Sequence, residues 1–257
     1  MPIHKSGSQD DPNNYRGICI SSCLGKFFTL IMNKRLNDFL ENNKIINKSQ
    51  IGFRKNCRTA DHLLVLKTLI DVYKMKRKRI FACFVDFRKA YDSVWREGLL
   101  FKLITNGCSK RFMRIMLSMY SSVNASVKLH QGITPSFKSS VGVKQGCNLS
   151  PTLFNIFIND ISDLFDSSCA PVKFGITDMN CLLYADDLVP RQRCAHITSN
   201  WLFENNILHQ VKEYSYLGIS IHFAGNFKQA QKILYNKSLL AYQMDYSEIS
   251  QILIMYR

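Results

Sequence analysis

Three aspartates within two apolar stretches are the residues of this sequence whose types and spacing could do chemistry. Asp86 lies in the apolar, β-branched and aromatic run 80–87, and Asp186 and Asp187 interrupt a second apolar run at 182–189. If the two runs form neighbouring strands, three carboxylates meet at one edge of a sheet and repel one another in a partly dry site. Divalent cations relieve that repulsion, and a site with only oxygen ligands suits Mg²⁺.

Phosphoryl transfer is the reaction that such a site would support. Two ions held about 4 Å apart by carboxylates activate an attacking hydroxyl and stabilise the leaving oxygen. The alternative is structural: Asp-Asp pairs are common in surface turns, and Asp86 could simply cap the following helix. Residue spacing alone leaves both interpretations open.

The charge balance of the chain indicates a polyanionic partner. The 34 Lys and Arg exceed the 19 Asp and Glu, which gives a formal net charge of +15. A surplus of this size is typical of proteins that bind nucleic acid, although a basic protein can also be merely soluble. With 46% hydrophobic residues, the 257-residue chain is able to bury a core.

Other features predict the compartment. The sequence has no apolar run of membrane-spanning length, its N-terminus has no apolar core for a secretory signal, and none of its nine cysteines has C-x-x-C spacing. We therefore expect a cytoplasmic or nuclear protein with reduced thiols, no zinc site and no membrane contact.

Helices must position the two aspartate runs. The predicted order is a helix over 24–40, a helix that Thr59 could cap and that runs to the basic run 74–79, the strand 80–87, helical segments over 96–107 and 110–120, a hairpin over 123–143, a helix with Ser150 as its cap and Pro151 as its first residue, and a second hairpin around Asp186. The basic run 74–79 either ends its helix electrostatically or contacts phosphates. Strands scattered among helices predict an α+β architecture.

Six ordered segments also carry a family resemblance. They are NYRGICISSCLGKFF (14–28), IGFRKNCRTADHLL (51–64), FVDFRKAYDSV (84–94), VKQGCNLSPTLFNIFIND (143–160), YADD (184–187) and EYSYLGI (213–219). The first two resemble fingers motifs of the non-LTR (LINE or jockey-like) retrotransposon branch of reverse transcriptases. The next three resemble palm motifs of reverse transcriptases, and the last is similar to the primer grip. The ordered set is far more specific than any single motif.

The resemblance implies an RNA-directed DNA polymerase with an α+β, right-hand polymerase fold. Residues 1–80 would form a portion of the fingers, and residues 81–221 the palm with the YADD hairpin and a degraded primer-grip region. Residues 222–257 would form a residual C-terminal tail, with the thumb mostly absent. Such an enzyme binds an RNA template, a DNA primer and deoxynucleoside triphosphates. It uses two Mg²⁺ ions, with Mn²⁺ as an alternative, to transfer a nucleotide to the primer 3′-hydroxyl.

The resemblance also implies roles for the matched residues. Asp86, Asp186 and Asp187 would be catalytic and would hold both ions. Tyr91 would block a ribose 2′-hydroxyl and so select deoxynucleotides; ordinary core packing is the alternative for this ring. The other matched positions would contact nucleotide or template (Arg16, Arg54, Lys55, Gln145 and Gly146) or form the primer grip (Tyr216, Leu217 and Gly218). A solvated surface charge is the alternative for the cations among them.

The sequence departs from the family after the YADD motif. The interval PRQRCAHITSNWLFENNILHQ (190–210) matches neither the helix nor the lysine-bearing segment expected there. Pro190 is expected to end the second hairpin strand early or to confine it to an edge. We interpret the chain as a truncated or internally deleted copy, for which the alternative function is a catalytically inactive remnant that binds nucleic acid. Polymerisation would then be poor, because it requires placement within about 1 Å, whereas binding through distributed charge would persist.

Overall fold

The described part of the chain forms two compact units. The computed structural model describes residues 1–77, 81–82, 84–87, 89–129, 131–163, 172–174, 177–179, 181–192, 202–203, 206–207, 213–217 and 219–222. Unit 1 draws on Met1–Cys57, Val85–Ser168 and Asn180–Leu188, and unit 2 on Arg58–Phe84, Cys169–Met179 and Val189–Arg257. These units do not follow the predicted segments 1–80 and 81–221, whose assignment as fingers and palm stays a prediction.

Helices and short strands alternate along the chain. The helices are α1 (Cys23–Asn42), α2 (Thr59–Met75), α3 (Arg96–Thr105), α4 (Lys110–Ser121) and α5 (Ser150–Phe157). The strands are β1 (Pro2–His4), β2 (Tyr15–Gly17), β3 (Phe81–Ala82), β4 (Val85–Asp86), β5 (Asn124–Ala125), β6 (Lys128–Leu129), β7 (Gly132–Ile133), β8 (Phe137–Lys138), β9 (Val172–Phe174), β10 (Thr177–Met179), β11 (Cys181–Tyr184), β12 (Asp187–Gln192), β13 (Leu202–Phe203), β14 (Asn206–Ile207), β15 (Glu213–Tyr216) and β16 (Ile219–His222). The mixture agrees with the predicted α+β class.

Local sequence explains where the helices begin. The Ser22 Oγ accepts a hydrogen bond from the Gly25 amide at 3.1 Å and so caps α1. At the start of α2, the Asp61 carboxylate accepts from the Arg58 amide at 2.7 Å. The cap of α2 is therefore Arg58, one residue before the predicted Thr59.

The core of unit 1 lies between four helices. Helix α3 contacts both α4 and α5, and α1 contacts α5. Leu36 on α1, Leu103 on α3, Met116 on α4 and Leu153 on α5 are all buried in one cluster. Burial of such side chains contributes roughly 1.5–3 kcal/mol each. This packing fixes α5 against α1.

Strand β12 pairs with the segment that was predicted as a single strand over 80–87. The structure divides that segment into β3 and β4, both antiparallel to β12. Asp187 lies opposite Asp86, and Gln192 lies opposite Phe81, in the same register. The two aspartate runs are therefore neighbours in one sheet, as the sequence analysis assumed.

The prediction for Pro190 is wrong. Strand β12 continues through Pro190 to Gln192 and lies between β11 and β3, so it is neither ended early nor confined to an edge. The physical reason lies in the register, which is the same on both sides of the proline. Proline removes one amide donor and fixes its own φ, but the pairs on both sides of it hold the strand in place.

The hairpin predicted over 123–143 is confirmed as two nested antiparallel pairs. Asn124 lies opposite Lys138 in the outer pair, and Lys128 lies opposite Ile133 in the inner pair. The connection from this hairpin to α5 carries Gln145 and Gly146.

Unit 2 has its own apolar contacts. Leu69 and Tyr73 of α2 are buried together. Strands β15 and β16 form an antiparallel hairpin in which Tyr216 lies opposite Ile219. The Phe84 ring stacks on the Tyr214 ring with centroids 4.4 Å apart.

Some predicted features lie outside the described residues. These are the end of the basic run at 78–79, residues 193–201, 204–205 and 208–210 of the interval after YADD, Gly218, and residues 223–257 of the predicted tail. Within the described ranges, no helix combines the length and the apolar character that crossing a bilayer requires.

Candidate active site

The two adjacent aspartates lie at the tip of a tight turn. Strand β11 ends at Tyr184, β12 begins at Asp187, and Ala185 and Asp186 form the turn between them. Ala185 adopts a left-handed backbone conformation with φ of 53°. Asp186, Asp187 and the preceding Tyr184 are half-buried, whereas Leu182, Leu183 and Val189 are buried. The apolar sequence around the aspartates is thus explained by strand residues that are buried close to the turn.

The third aspartate lies beside this turn in the backbone ladder. Asp86 is the direct partner of Asp187 in the antiparallel pair of β4 and β12. Directly opposite residues of an antiparallel pair share one face of the sheet, with Cα atoms roughly 4.5–5.5 Å apart. Among the side chains that the structure describes, which do not include that of Asp86, no group of three metal ligands is found. Metal binding by the three aspartates stays a prediction.

Tyr91 lies close to the turn. Its ring stacks on the Phe154 ring of α5, with centroids 5.0 Å apart and an interplanar angle of 21°. Burial and, second, the negative charge of Asp186 raise the pKa of the Tyr91 phenol. The Tyr91 hydroxyl therefore stays protonated near neutral pH. It lies close enough to Asp186 for that charge to act on it.

The Gln50 carboxamide binds the turn directly. Its Oε1 accepts hydrogen bonds from the Ala185 amide at 3.0 Å and from the Gly52 amide at 2.8 Å. Its Nε2 donates to the Ala185 carbonyl at 3.3 Å. Gln50 is 0% exposed. Sequence reasoning missed this residue, because a glutamine beside a basic loop carries no local sign of burial.

The backbone around Gln50 also pairs with β11. The Leu183 amide donates to the Ser49 carbonyl at 2.9 Å, and the Ile51 amide donates to the Leu183 carbonyl at 3.0 Å. These bonds form a parallel bridge between Gln50 and Leu183. Residues 49–51 thus act as an additional short strand along the one that leads into the turn.

A polar stripe along α5 and just beyond both ends of that helix forms hydrogen bonds with the Gln50 segment and with α1. Its members have spacings of four, three and four residues: Asn148, Thr152, Asn155 and Asn159. Asn148 Nδ2 donates to the Lys26 carbonyl at 3.0 Å, and Thr152 Oγ1 lies 2.6 Å from Asn33 Oδ1.

The other two members of the stripe bind the segment that follows α1. Asn155 Nδ2 donates to the Gly52 carbonyl at 2.7 Å. Asn159 Nδ2 donates to the Ile45 carbonyl at 2.9 Å, and Asn159 Oδ1 accepts from the Asn47 amide at 2.8 Å. The stripe was missed, although polar residues at helical spacing within an apolar segment were a usable signal.

A contact within the chain explains why glycine occupies position 146. It has φ of +98°, and a Cβ at this position would lie 2.8 Å from the Cys19 carbonyl oxygen. The adjacent Gln145 carbonyl accepts from the Cys19 amide at 2.8 Å. Glycine is required here because the backbone of residue 19 approaches closely; approach of template or nucleotide to Gln145 and Gly146 stays a prediction.

Arg96 holds the loop that leads to Gln145. Its guanidinium donates to the carbonyls of Ser139, Val141 and Gly142 at 2.7–2.9 Å, and it lies over the Tyr120 ring at 5.2 Å. The side chain is 6% exposed, and this burial lowers the pKa of Arg96. An arginine at the start of a predicted helix gave no sequence signal for this role.

The cations predicted to contact nucleotide or template differ in their surroundings. Arg54 forms a two-point salt bridge with Glu41, with both N–O distances at 2.7 Å. Arg54 also donates to the Gln50 carbonyl at 3.1 Å. Lys55 and Arg16 are exposed. The structure thus gives Arg54 internal partners and leaves two of the predicted cations at the surface.

Tyr216 and Leu217 of the predicted primer grip lie in unit 2. Tyr216 is 1% exposed, and its ring lies 5.5 Å from that of Phe84. Leu217 is half-buried with φ of 51°. Their contact with a primer stays a prediction.

Comparison with known proteins assigns a family to most of the chain. The sequence model of the family described as reverse transcriptase (RNA-dependent DNA polymerase) matches residues 3–193. The matched range includes both aspartate runs, the Gln50 segment and α5.

Related proteins come from mobile elements. The RNA-directed DNA polymerase from mobile element jockey of Drosophila melanogaster is 30% identical over 72% of this chain and 20% of its own length. The jockey polymerase of Drosophila funebris is 25% identical over 98% of this chain and 28% of its own length. A probable RNA-directed DNA polymerase from transposon BS of Drosophila melanogaster is 27% identical over 73% of this chain and 20% of its own length. The chain thus spans between a fifth and just over a quarter of the length of these relatives.

A solved structure shares the fold. The apo telomerase of Candida tropicalis superposes with a TM-score of 0.51 over 77% of this chain and 39% of that chain, at 12% identity. At this identity the likeness concerns the fold alone.

Proposed function

We propose, because this chain belongs to the reverse transcriptase family, that it contains the catalytic core of an RNA-directed DNA polymerase from a non-LTR retrotransposon. Its fold is a polymerase fold, as the family match and the likeness to telomerase indicate. The observation that carries the proposal is the pairing of Asp86 with Asp187 beside the Asp186 turn. That backbone pairing makes neighbours of two aspartate positions that lie about 100 residues apart in the sequence.

We assign the three aspartates to the binding of two divalent cations, Mg²⁺ or Mn²⁺. Their oxygen-only donor set suits these ions. Half-burial of Asp186 and Asp187 strengthens the repulsion that cations would relieve. When bound, the ions would lower the barrier for attack of a primer 3′-hydroxyl on a nucleoside triphosphate.

Tyr91 is proposed to lie below the sugar of the incoming nucleotide. Support comes from its position: it is close enough to Asp186 for that charge to raise the pKa of its phenol, and its ring is held by Phe154. A fixed aromatic ring beside the metal site would exclude a ribose 2′-hydroxyl by its volume, which selects deoxynucleotides.

The substrates are proposed to be an RNA template, a DNA primer and deoxynucleoside triphosphates. The formal net charge of +15 and the exposed Arg16 and Lys55 support phosphate contacts. The segment with Gln145 and Gly146 would face template and nucleotide, and Tyr216 and Leu217 would support the primer. The salt bridge of Arg54 with Glu41 assigns that arginine to holding the loop, with triphosphate contact as an added role.

Primer extension tests the proposed function. The purified chain is given an RNA template, a DNA primer, deoxynucleotides and Mg²⁺, alongside Asp186→Asn, Asp187→Asn and a charge-matched control, Asp38→Asn, on the exposed face of α1. Loss of a metal ligand is expected to lower extension by roughly 1,000-fold, equivalent to about 4 kcal/mol, whereas Asp38→Asn is expected to keep it.

The same experiment separates the second candidate function. A wild-type chain that binds RNA and DNA with steep salt dependence, yet extends no primer, would be the inactive nucleic-acid-binding remnant. Measured affinity is expected to fall as salt rises because binding releases counterions from the phosphates.

A further inference from the structure

We propose that Gln50 is a positioning residue that fixes the Ala185–Asp186 turn and acts on the reaction through Asp186 and Asp187 without contacting substrate. The importance of the turn for catalysis rests on the proposed function. The role of Gln50 in holding the turn rests on the hydrogen bonds alone.

The turn needs such support because of its backbone conformation. Ala185 has φ of 53°, in the left-handed region that a residue with a Cβ adopts only with outside help. Gln50 Oε1 accepts from the Ala185 amide, and Gln50 Nε2 donates to the Ala185 carbonyl. One carboxamide therefore holds the peptide planes on both sides of Ala185. The second of these planes leads directly into Asp186.

The chemistry of the position favours glutamine. Its oxygen uses both lone pairs, on the Ala185 and Gly52 amides, while its nitrogen supplies the donor for a carbonyl. A carboxylate of the same length lacks the donor and would add a buried negative charge beside two aspartates. A methionine of similar length lacks both functions.

Neighbouring groups hold Gln50 rigidly. A Cβ on Gly52 would lie 2.2 Å from the Ala185 nitrogen, so the segment lies directly against the turn. Asn155 of α5 binds the Gly52 carbonyl, and Arg54 binds the Gln50 carbonyl. A continuous set of bonds thus runs from α5 through Gly52 and Gln50 to Ala185, all within unit 1.

The test compares Gln50→Met and Gln50→Glu with Thr152→Val in the full chain. Thr152 is a fitting control because it is buried and bonds α1 through Asn33, away from the turn.

Three quantities are measured: hydrogen exchange of the peptide that contains Ala185, Mn²⁺ affinity by electron paramagnetic resonance, and the melting temperature. Gln50→Met is expected to speed exchange at Ala185 and to weaken Mn²⁺ binding by roughly tenfold, as loss of a group that orients metal ligands commonly does. Gln50→Glu is expected to give a smaller change in exchange because it keeps its acceptors. Thr152→Val is expected to lower the melting temperature without either change.

Kinetics give a further readout where extension is detected. Gln50→Met is expected to lower kcat by about 100-fold with the KM for deoxynucleotide within roughly threefold, because misplacement of the catalytic groups affects the chemical step. Equal exchange at Ala185 in Gln50→Met and Thr152→Val would overturn the proposal, as would unchanged Mn²⁺ affinity in a chain that binds Mn²⁺. If Gln50→Met fails to fold, Gln50→Glu is judged by the same two criteria.

The failure of the proposed function gives a different pattern. A wild-type chain with neither Mn²⁺ binding nor extension would contradict the polymerase assignment. Hydrogen exchange at Ala185 would then be the one measurement that decides whether Gln50 holds the turn.

Discussion

The Ala185–Asp186 turn in unit 1 and the aromatic cluster in unit 2 are held by different kinds of interaction. The Ala185 turn is held by directed hydrogen bonds from a fully buried glutamine. In the cluster of Phe84, Tyr214 and Tyr216, the Phe84 ring stacks on that of Tyr214 and contacts that of Tyr216 at a tilted angle. Hydrogen bonds have narrow ranges of distance and angle, whereas apolar contacts are non-directional. The comparison shows that directed hydrogen bonds place individual backbone atoms at the turn. Apolar contacts, by contrast, pack side chains together in the aromatic cluster without fixing single atoms.

The most severe test of this difference is Gly52→Ala. Its Cβ would lie 2.2 Å from the Ala185 nitrogen, so the turn or the Gly52 segment must shift by about 1 Å. We expect primer extension to fall by about 100-fold, since displacement of that size misaligns the reacting groups. Gly17→Ala is the matched control because nothing lies within 4 Å of a Cβ there. Equal extension by both variants would show that the turn tolerates displacement.

Arg96→Met tests a second buried polar clamp. The variant leaves the carbonyls of Ser139, Val141 and Gly142 without their donor. We expect the free energy of unfolding to fall by about 2 kcal/mol, measured by urea denaturation. Arg114→Met, at an exposed position of α4, is expected to change stability by less than about 0.5 kcal/mol. Comparable losses in the two variants would count against the clamp.

Phe84→Leu tests the apolar side of the comparison. Leucine keeps an apolar contact with Tyr214 but loses ring stacking, so the free energy of unfolding is expected to fall by about 1 kcal/mol. Because stacking tolerates small shifts, the kcat of primer extension is expected to change by less than roughly threefold. A loss of kcat as large as that of Gly52→Ala would show that the cluster positions reacting atoms as the turn does.

Glu41→Gln should have the smallest effect, because its polar contact is partly exposed. The hydrogen bond from Arg54 lowers the pKa of the Glu41 carboxyl below its usual value of 4.5. Its contribution is therefore complete above pH 4.5 and is lost as pH falls through the lowered pKa. Since the Glu41 side chain is 42% exposed, we expect the ion pair to contribute less than about 1 kcal/mol to the free energy of unfolding. Thermal melts of wild type and Glu41→Gln should converge at low pH, and a constant difference would contradict the linkage.

Much of the site could be predicted because its signals are local. The interruption of an apolar run by Asp186 and Asp187 indicated a turn between buried strands, and the structure has that turn. The hairpin over 123–143 followed from alternation and turn residues. The start of α5 followed from a serine before a proline, although its cap is Leu149 and the predicted cap, Ser150, is the first helical residue. Pro190 was misjudged because its effect depends on the partners of β12, which the sequence does not name.

The sequence by itself determined the aspartate segments, the helices and the family resemblance, because periodicity and motif order lie within short stretches of chain. Only the tertiary structure decided that Gln50 holds Ala185, which lies 135 residues further along the chain. Only the tertiary structure decided that Gly146 accommodates Cys19 and that Arg54 binds Glu41. The physical reason is that a polar side chain becomes a directed, structure-defining contact only when folding buries it beside a particular partner. No local pattern specifies which partner that will be.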